Sequence, residues 1–278
     1  MTSTAFVLVL LAALLHAGWN ALVKASGDRG FTLALIAGGH LVLGAVLAWY
    51  APLPGWQAVP YLAGSTVIHW AYYWAIFHGY RLGDLSLVYP LARGSAPLLV
   101  ALGTLAVLGE QVNGWGWTGI AAISGGVLLL AAGSLRRGVD PRAVMVGMAL
   151  GFIIAAYSVV DGTGARLSET SLAYIAWLFV CEGIFAVWLL WRRRRDLGQI
   201  AARTWMVGLG GGVASALAYG LAIHAMTIAP MALVSALRET SVVIAALIGT
   251  LLFAERPVLP RLLAACVVLA GIVAIALA

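Results

Sequence analysis

Residues 84–108 read DLSLVYPLARGSAPLLVALGTLAVL, and residues 230–253 read PMALVSALRETSVVIAALIGTLLF. Each stretch is long and apolar enough to cross a bilayer as a helix, since a span needs about 20 mostly apolar residues. Arg93 nevertheless lies inside the first stretch, and the adjacent Arg238 and Glu239 lie inside the second. A charge at that depth is costly and is usually kept for function, so both stretches predict membrane helices around a polar centre.

An internal repeat relates the two stretches. A shift of 145 residues carries position 93 onto position 238, so that arginine aligns with arginine. The same shift aligns four further pairs of identical or similar residues: Trp74 with Tyr219, Ala101 with Ala246, Glu110 with Glu255, and Gly126 with Gly271. The chain is therefore predicted to contain two copies of one unit.

The composition indicates a membrane protein. Of the 278 residues, 63% are apolar and 9% are charged, and the mean hydropathy is +1.02. A soluble domain would carry about a quarter charged residues, so most of this surface is expected to face lipid. The net charge of +6 is explained by basic cytoplasmic loops rather than by binding to nucleic acid. Metal-ligand spacings are absent from the sequence, and we expect neither a metal nor a cofactor.

Ten apolar segments have the length of a membrane span, five in each copy of the repeat. Because five is odd, the second copy enters the membrane upside down relative to the first. We therefore expect an all-α integral membrane protein of ten transmembrane helices, built as two inverted five-helix repeats over residues 1–137 and 138–278. Inverted repeats are typical of secondary transporters, which bind substrate near the midplane between them. The segments lie at about residues 4–25, 32–51, 57–80, 84–108, 114–134, 141–161, 170–191, 204–227, 230–253 and 257–277.

The charges between the segments predict the orientation. The odd-numbered loops carry thirteen Lys and Arg residues, whereas the even-numbered loops and both termini carry Arg166 alone. Basic loops stay on the cytoplasmic side, so we expect the odd-numbered loops in the cytoplasm and both termini outside.

Short motifs carry a resemblance to a known family. They are the run His16-Ala-Gly-Trp-Asn20 before Lys24, and the segment ends Leu108-Gly-Glu110 and Phe253-Ala-Glu255. With these motifs the chain resembles the drug/metabolite transporter superfamily, specifically its ten-helix EamA type, and within it the YddG-type exporters of aromatic and other amino acids. The resemblance implies that segments one to four and six to nine line a central cavity, while segments five and ten pack outside it. It also implies a small-molecule substrate, a multi-pass location in the bacterial inner membrane, and a monomer as the expected oligomeric state.

Four charged residues are candidates for the polar centre: Arg93, Glu182, Arg238 and Glu239. One interpretation is a structural network of ion pairs that locks the two repeats together. The other is that an arginine binds the carboxylate of a zwitterion through two parallel hydrogen bonds, while Glu239 or a backbone carbonyl takes the ammonium group.

Aromatic and histidine side chains are candidates for the cavity wall. His69, Trp70, Tyr73 and Trp74 lie in the middle of the third segment, where an interfacial belt does not account for them. They would either contact apolar or aromatic substrates or pack within the bundle. The histidines near segment centres would either bond a neighbouring hydroxyl or carbonyl or serve in a proton relay. Weaker candidates for substrate contact are Trp19, Asn20 and Tyr89.

Two prolines interrupt the fourth segment, Pro90 and Pro97. A proline leaves the carbonyl four residues earlier without an amide donor, which for Pro97 is the carbonyl of Arg93. The prolines are therefore expected either to form a hinge beside a polar binding point or to act as packing kinks.

The sequence favours an exporter of small metabolites, with amino acids that carry apolar or aromatic side chains as the expected substrates. A transporter of nucleotide sugars or other phosphorylated metabolites is the alternative. A third hypothesis is an integral-membrane enzyme, because Asp161-Gly-Thr-Gly-Ala-Arg166 matches the opening of the CDP-alcohol phosphotransferase signature. The aspartates that continue that signature are missing, since the next acids are Glu169 and Glu182, and we expect no enzymatic activity.

Overall fold

The computed structural model of the chain is all-helical in the residues that it describes, which are 1–24, 29–82, 85–132, 140–195, 197–253 and 258–278. A single 3₁₀ turn at Leu197–Gln199 accompanies the α-helices. The helices are α1 Ser3–Lys24, α2 Arg29–Tyr50, α3 Val59–Leu82, α4 Leu85–Leu108, α5 Gly114–Leu129, α6 Pro141–Leu167, α7 Ser171–Arg192, α8 Ala202–Ile228, α9 Met231–Arg238, α10 Thr240–Phe253 and α11 Val258–Ala276.

The helices coincide with the apolar segments of the sequence. Within the described residues, seven stretches are long and apolar enough to cross a membrane, which is the pattern of a multi-pass membrane protein. The ten crossings that the sequence predicts stay a prediction. The seven stretches are Ser3–Leu22, Leu87–Leu108, Pro141–Leu167, Ser171–Arg192, Ala202–Ile228, Met231–Ile248 and Val258–Ala276.

The ninth segment is divided at the polar centre. Helix α9 ends at Arg238, and Glu239 closes it with its amide bonded to the Ala236 carbonyl at 3.0 Å. The amide of Val242 then bonds the Glu239 carbonyl at 3.0 Å, so a tight turn connects α9 to α10. Helix α4, by contrast, is continuous although it contains two prolines. The interruption therefore lies in the second half, and a hinge at Pro90 and Pro97 stays a prediction.

Packing in the bundle pairs helices from the two halves. Helix α2 packs against α7 and α8, α4 against α6, α1 against α8, α3 against α6, and α5 against α11. Large apolar side chains remain on the outer surface, and Trp49 and Trp56 near helix ends are 84% and 89% exposed. Exposed aromatic rings at helix ends are typical of a membrane–water interface.

Candidate functional site

A central cavity of about 620 Å³ lies within the bundle. This volume is in the range of pockets that hold small molecules. Its walls come from α1 to α4 and α6 to α9, whereas none of the lining residues belongs to α5 or α11, as the family resemblance implies. The lining includes His16, Trp19, His40, His69, Tyr72, Tyr73, Trp74, Arg93, Tyr157, Glu182, Phe185, Trp188, Arg192, Arg193, Ser215, Tyr219 and Arg238.

The cavity reaches the surface at the basic end of the molecule. Trp188 and Arg192 line it and are exposed, and they lie near the C-terminal end of α7. That helix end adjoins an odd-numbered loop, and these loops carry the basic residues. The mouth therefore faces the side that the loop charges assign to the cytoplasm.

Arg93 and Glu239 form a buried ion pair. Arg93 Nε lies 2.7 Å from Glu239 Oε2, and their side chains are 4% and 0% exposed. Arg93 Nη2 also reaches Ser241 Oγ at 3.5 Å. Arg93 lines the cavity, whereas Glu239 lies outside the lining. The pair joins α4 to the turn between α9 and α10, so the first interpretation of the charges describes these two residues.

Arg238 has a different environment from Arg93. Its guanidinium lies over the ring of Tyr219, with 5.4 Å from Cζ to the ring centroid, and it faces Tyr157. It is buried and lines the cavity. Its Nε and Nη2 atoms have no hydrogen-bond partner among the described residues. A buried donor without a partner costs free energy, so this guanidinium is suited to an anionic group that enters the cavity.

A second polar group is the Glu182 cluster, which we define as Glu182, His40, His69 and Tyr73. Glu182 is fully buried and lines the cavity. Its Oε1 lies 2.5 Å from His40 Nδ1, and its Oε2 lies 3.7 Å from His69 Nε2 and accepts from the Tyr73 hydroxyl at 3.3 Å. Within the described residues no metal-binding group of three or more His, Cys, Asp or Glu is found.

Asp161 is a buried acid that the sequence analysis treats only as part of an enzyme signature. Its two carboxylate oxygens accept hydrogen bonds from the hydroxyls of Tyr174, at 2.9 Å, and Tyr219. The predicted sixth segment ends at residue 161, whereas α6 continues to Leu167 and so encloses Asp161 within the bundle. The sequence feature that could have predicted this burial is the position of Asp161 directly after an apolar run.

The aromatic candidates divide between the cavity and the rest of the bundle. Trp19, His69, Tyr73 and Trp74 line the cavity, and Tyr73 stacks on Phe185 with 5.5 Å between ring centroids. Three other candidates lie outside the lining: Trp70 is 37% exposed, Asn20 Nδ2 donates to the His16 carbonyl at 2.7 Å, and Tyr89 packs against the hydrophobic core. Sequence reasoning missed Phe185 and Trp188, which resemble the many lipid-facing aromatic residues of this chain.

An ion pair lies at the end of α4 and α6. Arg166 Nη1 donates to Glu110 Oε2 at 2.9 Å, and the remaining Arg166 nitrogens Nε and Nη2 donate to the carbonyls of Met226 at 2.8 Å and Ala229 at 2.9 Å. Glu110 Oε1 in turn accepts from the amide of Met231. We call this group the Glu110–Arg166 clamp. It joins the end of α4, the end of α6 and the connection between α8 and α9.

Comparisons with known proteins agree with this architecture. Residues 141–277 match the EamA-like transporter family. An uncharacterised transporter in the cobO 3' region of a Sinorhizobium species is 36% identical over 96 residues, which cover 32% of this chain and 67% of that protein. A protein of solved crystal structure superposes with a TM-score of 0.79 over 100% of this chain and 98% of its own, at 16% identity, a likeness of fold alone. The chain thus belongs to the EamA-like transporter family, in the drug/metabolite transporter superfamily, and is a multi-pass membrane transporter.

Proposed function

We propose that the protein is a secondary transporter that exports amino acids with apolar or aromatic side chains from the bacterial cytoplasm. It works by alternating access, with ten membrane-spanning helices arranged as two inverted repeats over residues 1–137 and 138–278. The observation that carries the substrate class is Arg238, a buried guanidinium with unbonded N–H groups at the wall of an aromatic cavity.

The contact between α5 and α11 supports the inverted repeat. A Cβ at Gly126 would lie 2.7 Å from Val268 Cγ2 and 3.1 Å from the Ala264 carbonyl. A Cβ at Gly271 would lie 2.7 Å from Ile123 Cγ1 and 3.0 Å from the Gly119 carbonyl. A shift of 145 residues exchanges the members of each contact, from 126 to 271, 123 to 268 and 119 to 264. A twofold axis between the halves produces this reciprocity.

The other helix contacts follow the same exchange. In the proposed repeat, α6 is the counterpart of α1, and α8 is the counterpart of α3. The contact of α1 with α8 therefore corresponds to the contact of α6 with α3, and both are present. The contact of α4 with α6 has its counterpart in α9 and α10 with α1. Helices α2 and α7 contact each other across the axis, as α5 and α11 do.

Arg238 supports a carboxylate-bearing substrate. A guanidinium presents two parallel donors that match a carboxylate, and such charge-assisted pairs are stronger than neutral hydrogen bonds. Arg93 is already paired with Glu239, which leaves Arg238 as the better site for the substrate carboxylate. The cavity-lining acid, Glu182, takes the ammonium group in this scheme.

The wall of the cavity supports an apolar or aromatic side chain. Tyr72, Tyr73, Tyr157 and Phe185 line it, and aromatic pairs in offset or edge geometry add stability beyond the area they bury. These rings belong to three different helices, α3, α6 and α7, so they surround the space rather than cover one side of it.

The open mouth at one end of the bundle and the clamp at the other end support export. The mouth opens on the basic side, which the loop charges assign to the cytoplasm, so substrate enters from inside the cell. The Glu110–Arg166 clamp belongs to the end that the same charges assign to the outside. In the proposed export cycle, a conformation open to the cytoplasm and closed outside is the one that loads substrate.

A second candidate is a transporter of phosphorylated metabolites, because four arginines line the cavity. Arg192 and Arg193 lie near the mouth at the end of α7, and Arg192 stacks over Trp188 at 5.2 Å. Arg93 is neutralised by Glu239. Among the described residues deep in the cavity, Arg238 is then the guanidinium without an ion pair, which fits a carboxylate better than a phosphate.

A transport panel with a matched variant tests the proposal. Purified protein in proteoliposomes would be assayed with labelled L-phenylalanine in competition with other amino acids, sugar phosphates and nucleotide sugars. We expect apolar and aromatic amino acids to compete, Arg238→Gln to reduce uptake at low substrate concentration by about 10- to 100-fold, and the surface variant Arg203→Gln to leave it intact. Competition by phosphorylated compounds alone, or full uptake by Arg238→Gln, would contradict the amino-acid assignment.

A further inference from the structure

The Glu182 cluster holds an empty position for one proton. His69 Nδ1 lies 3.0 Å from the carbonyl oxygen of Ser65, which can only accept a hydrogen bond, and 3.1 Å from the Ser65 hydroxyl, which can accept or donate. A hydrogen on Nδ1 suits both contacts, whereas a bare Nδ1 would face the carbonyl oxygen, so we assign the hydrogen to Nδ1, and a neutral His69 then presents a bare Nε2 to Glu182. Two hydrogen-bond acceptors, Nε2 and Glu182 Oε2, then face each other at 3.7 Å. One added proton on either atom replaces this repulsion with an attraction.

The other histidine of the cluster leaves no such gap. His40 Nδ1 lies 2.5 Å from Glu182 Oε1, and its Nε2 lies 3.1 Å from the hydroxyl of Ser215. A neutral His40 donates through Nδ1, and the serine hydroxyl donates to Nε2, so both ring nitrogens are satisfied. The position for the extra proton is therefore specific to the side of Glu182 that faces His69.

The charges around His69 favour occupation of this position. Asp161 accepts hydroxyl hydrogen bonds at both oxygens, as an ionised carboxylate does, and it acts electrostatically on His69. With neutral histidines, His69 thus lies near two buried carboxylates, which is costly inside a membrane protein. The titratable groups that face the cluster are His40 from α2, Tyr73 from α3, Tyr157 and Asp161 from α6, Tyr174 and Cys181 from α7, and Tyr219 from α8.

We propose that the position between His69 Nε2 and Glu182 Oε2 binds a transported proton, which competes with the substrate ammonium group for Glu182. The proton would then be bound when substrate leaves and released when substrate binds, which makes the protein a proton/amino-acid antiporter. The competition rests on the proposed function, whereas the proton site itself does not. His69 and Glu182 line the cavity, so protons reach them from the cytoplasmic mouth in this conformation.

A measurement without substrate tests the proton site. The ring nitrogens of ¹⁵N-histidine-labelled protein would be followed by NMR as the pH is lowered over the range in which the protein stays folded, with His69→Gln to assign the signal. We expect His69 Nε2 to gain a proton in the wild type. A ring that keeps one protonation state at every pH at which the protein is folded would overturn the proposal.

Transport measurements test the coupling. Accumulation of L-phenylalanine driven by a pH gradient would be compared with exchange of L-phenylalanine at equal pH. In His69→Gln we expect the ratio of accumulation to exchange to fall about tenfold, because typical coupling free energies correspond to about 5- to 150-fold. His224→Gln, which alters a histidine bonded to Ser171 outside the cavity, is the matched control and should keep the wild-type ratio.

The outcomes separate the two proposals. An unchanged ratio in His69→Gln would refute antiport through this site. Failure of the wild type to exchange L-phenylalanine or other amino acids would refute the proposed function, and the NMR titration would still decide whether the proton site exists. Arg238→Gln should lose exchange and keep the titration of His69.

Discussion

Arg93 Nε lies 2.7 Å from Glu239 Oε2, and this ion pair joins α4 to the turn between α9 and α10. Adjacent residues on a helix point about 100° apart, so Arg238 cannot share this direction with Glu239. It turns instead toward Tyr219 and the cavity. Two arginines related by the 145-residue shift thus have different surroundings, one in an ion pair with Glu239 and one over the ring of Tyr219.

Loss of Arg93 is expected to destabilise the fold. Arg93→Met leaves the buried carboxylate of Glu239 without its partner, and breaking one side of a buried pair costs about 3–5 kcal/mol. Replacing both residues, as Arg93→Met with Glu239→Leu, should recover much of this loss because no buried charge remains. Unfolding in mixed micelles would measure the free energies, and strictly additive effects of the two substitutions would contradict the pairing.

Loss of Arg238 is expected to affect binding more than stability. Its Nε and Nη2 have no hydrogen-bond partner among the described residues, so Arg238→Gln removes the contact with the Tyr219 ring but no hydrogen bond of these two nitrogens. A hydrogen bond to a charged group contributes about 1.5–3 kcal/mol, which predicts a loss of affinity of about 10- to 100-fold. Calorimetric titration with L-phenylalanine gives the affinity, and thermal unfolding without ligand gives the stability. A large loss of stability with unchanged affinity would assign this arginine to the structural network.

The helices could be predicted from the sequence because the interactions that form them are local. An apolar run of about 20 residues forms a helix in lipid to satisfy its own backbone groups, and chain length and loop residues set its ends. Arg93, Arg238 and Glu239 could be assigned to a polar centre for the same reason, since their burial is costly wherever the helices pack. The break at Glu239 is not marked by a proline in the sequence, and it lies at the residue that is ion-paired with another helix.

The partners of Glu182 could not be read from the sequence. In a soluble helix the polar face marks the outside, whereas here both the lipid-facing and the cavity-facing sides are apolar. The rotation of α3 therefore decides that His69 reaches Glu182 while Trp70, the next residue, lies outside the cavity lining. That rotation is fixed by contacts with α6 and α7, which no local pattern reports.

The Glu110–Arg166 clamp is expected to hold one end of the transporter closed. Arg166→Gln removes the ion pair with Glu110 and weakens the bonds to the carbonyls of Met226 and Ala229. The population should shift toward conformations open at this end, and a shift of about 1.4 kcal/mol changes their ratio about tenfold.

A cysteine accessibility assay measures this shift. Ala229→Cys would be introduced into a background in which Cys181 and Cys266 are replaced by serine, and its reaction with a membrane-impermeant maleimide would be timed. We expect faster labelling in Arg166→Gln and in Glu110→Gln than in the parent, with Arg203→Gln unchanged. Equal rates in all four proteins would show that the clamp does not control access.

The contact of α5 with α11 gives a test of the inverted repeat through matched glycines. Gly126 and Gly271 face the partner helix at close range, so a methyl group at either position would meet backbone as well as side-chain atoms. At Gly126 it would lie 3.1 Å from the Ala264 carbonyl oxygen and 3.3 Å from the Val268 amide nitrogen. At Gly271 it would lie 3.0 Å from both the Gly119 carbonyl oxygen and the Ile123 amide nitrogen. Gly125, the neighbour of Gly126, has nothing within 4 Å of an added Cβ. Alanine in a helix is favoured over glycine by about 1 kcal/mol, which provides the baseline. We therefore expect Gly125→Ala to be neutral or stabilising in thermal unfolding, and Gly126→Ala and Gly271→Ala to be destabilising to a similar extent. A loss in only one of the two single variants would mean that the contacts are not equivalent and would count against a twofold relationship between the halves.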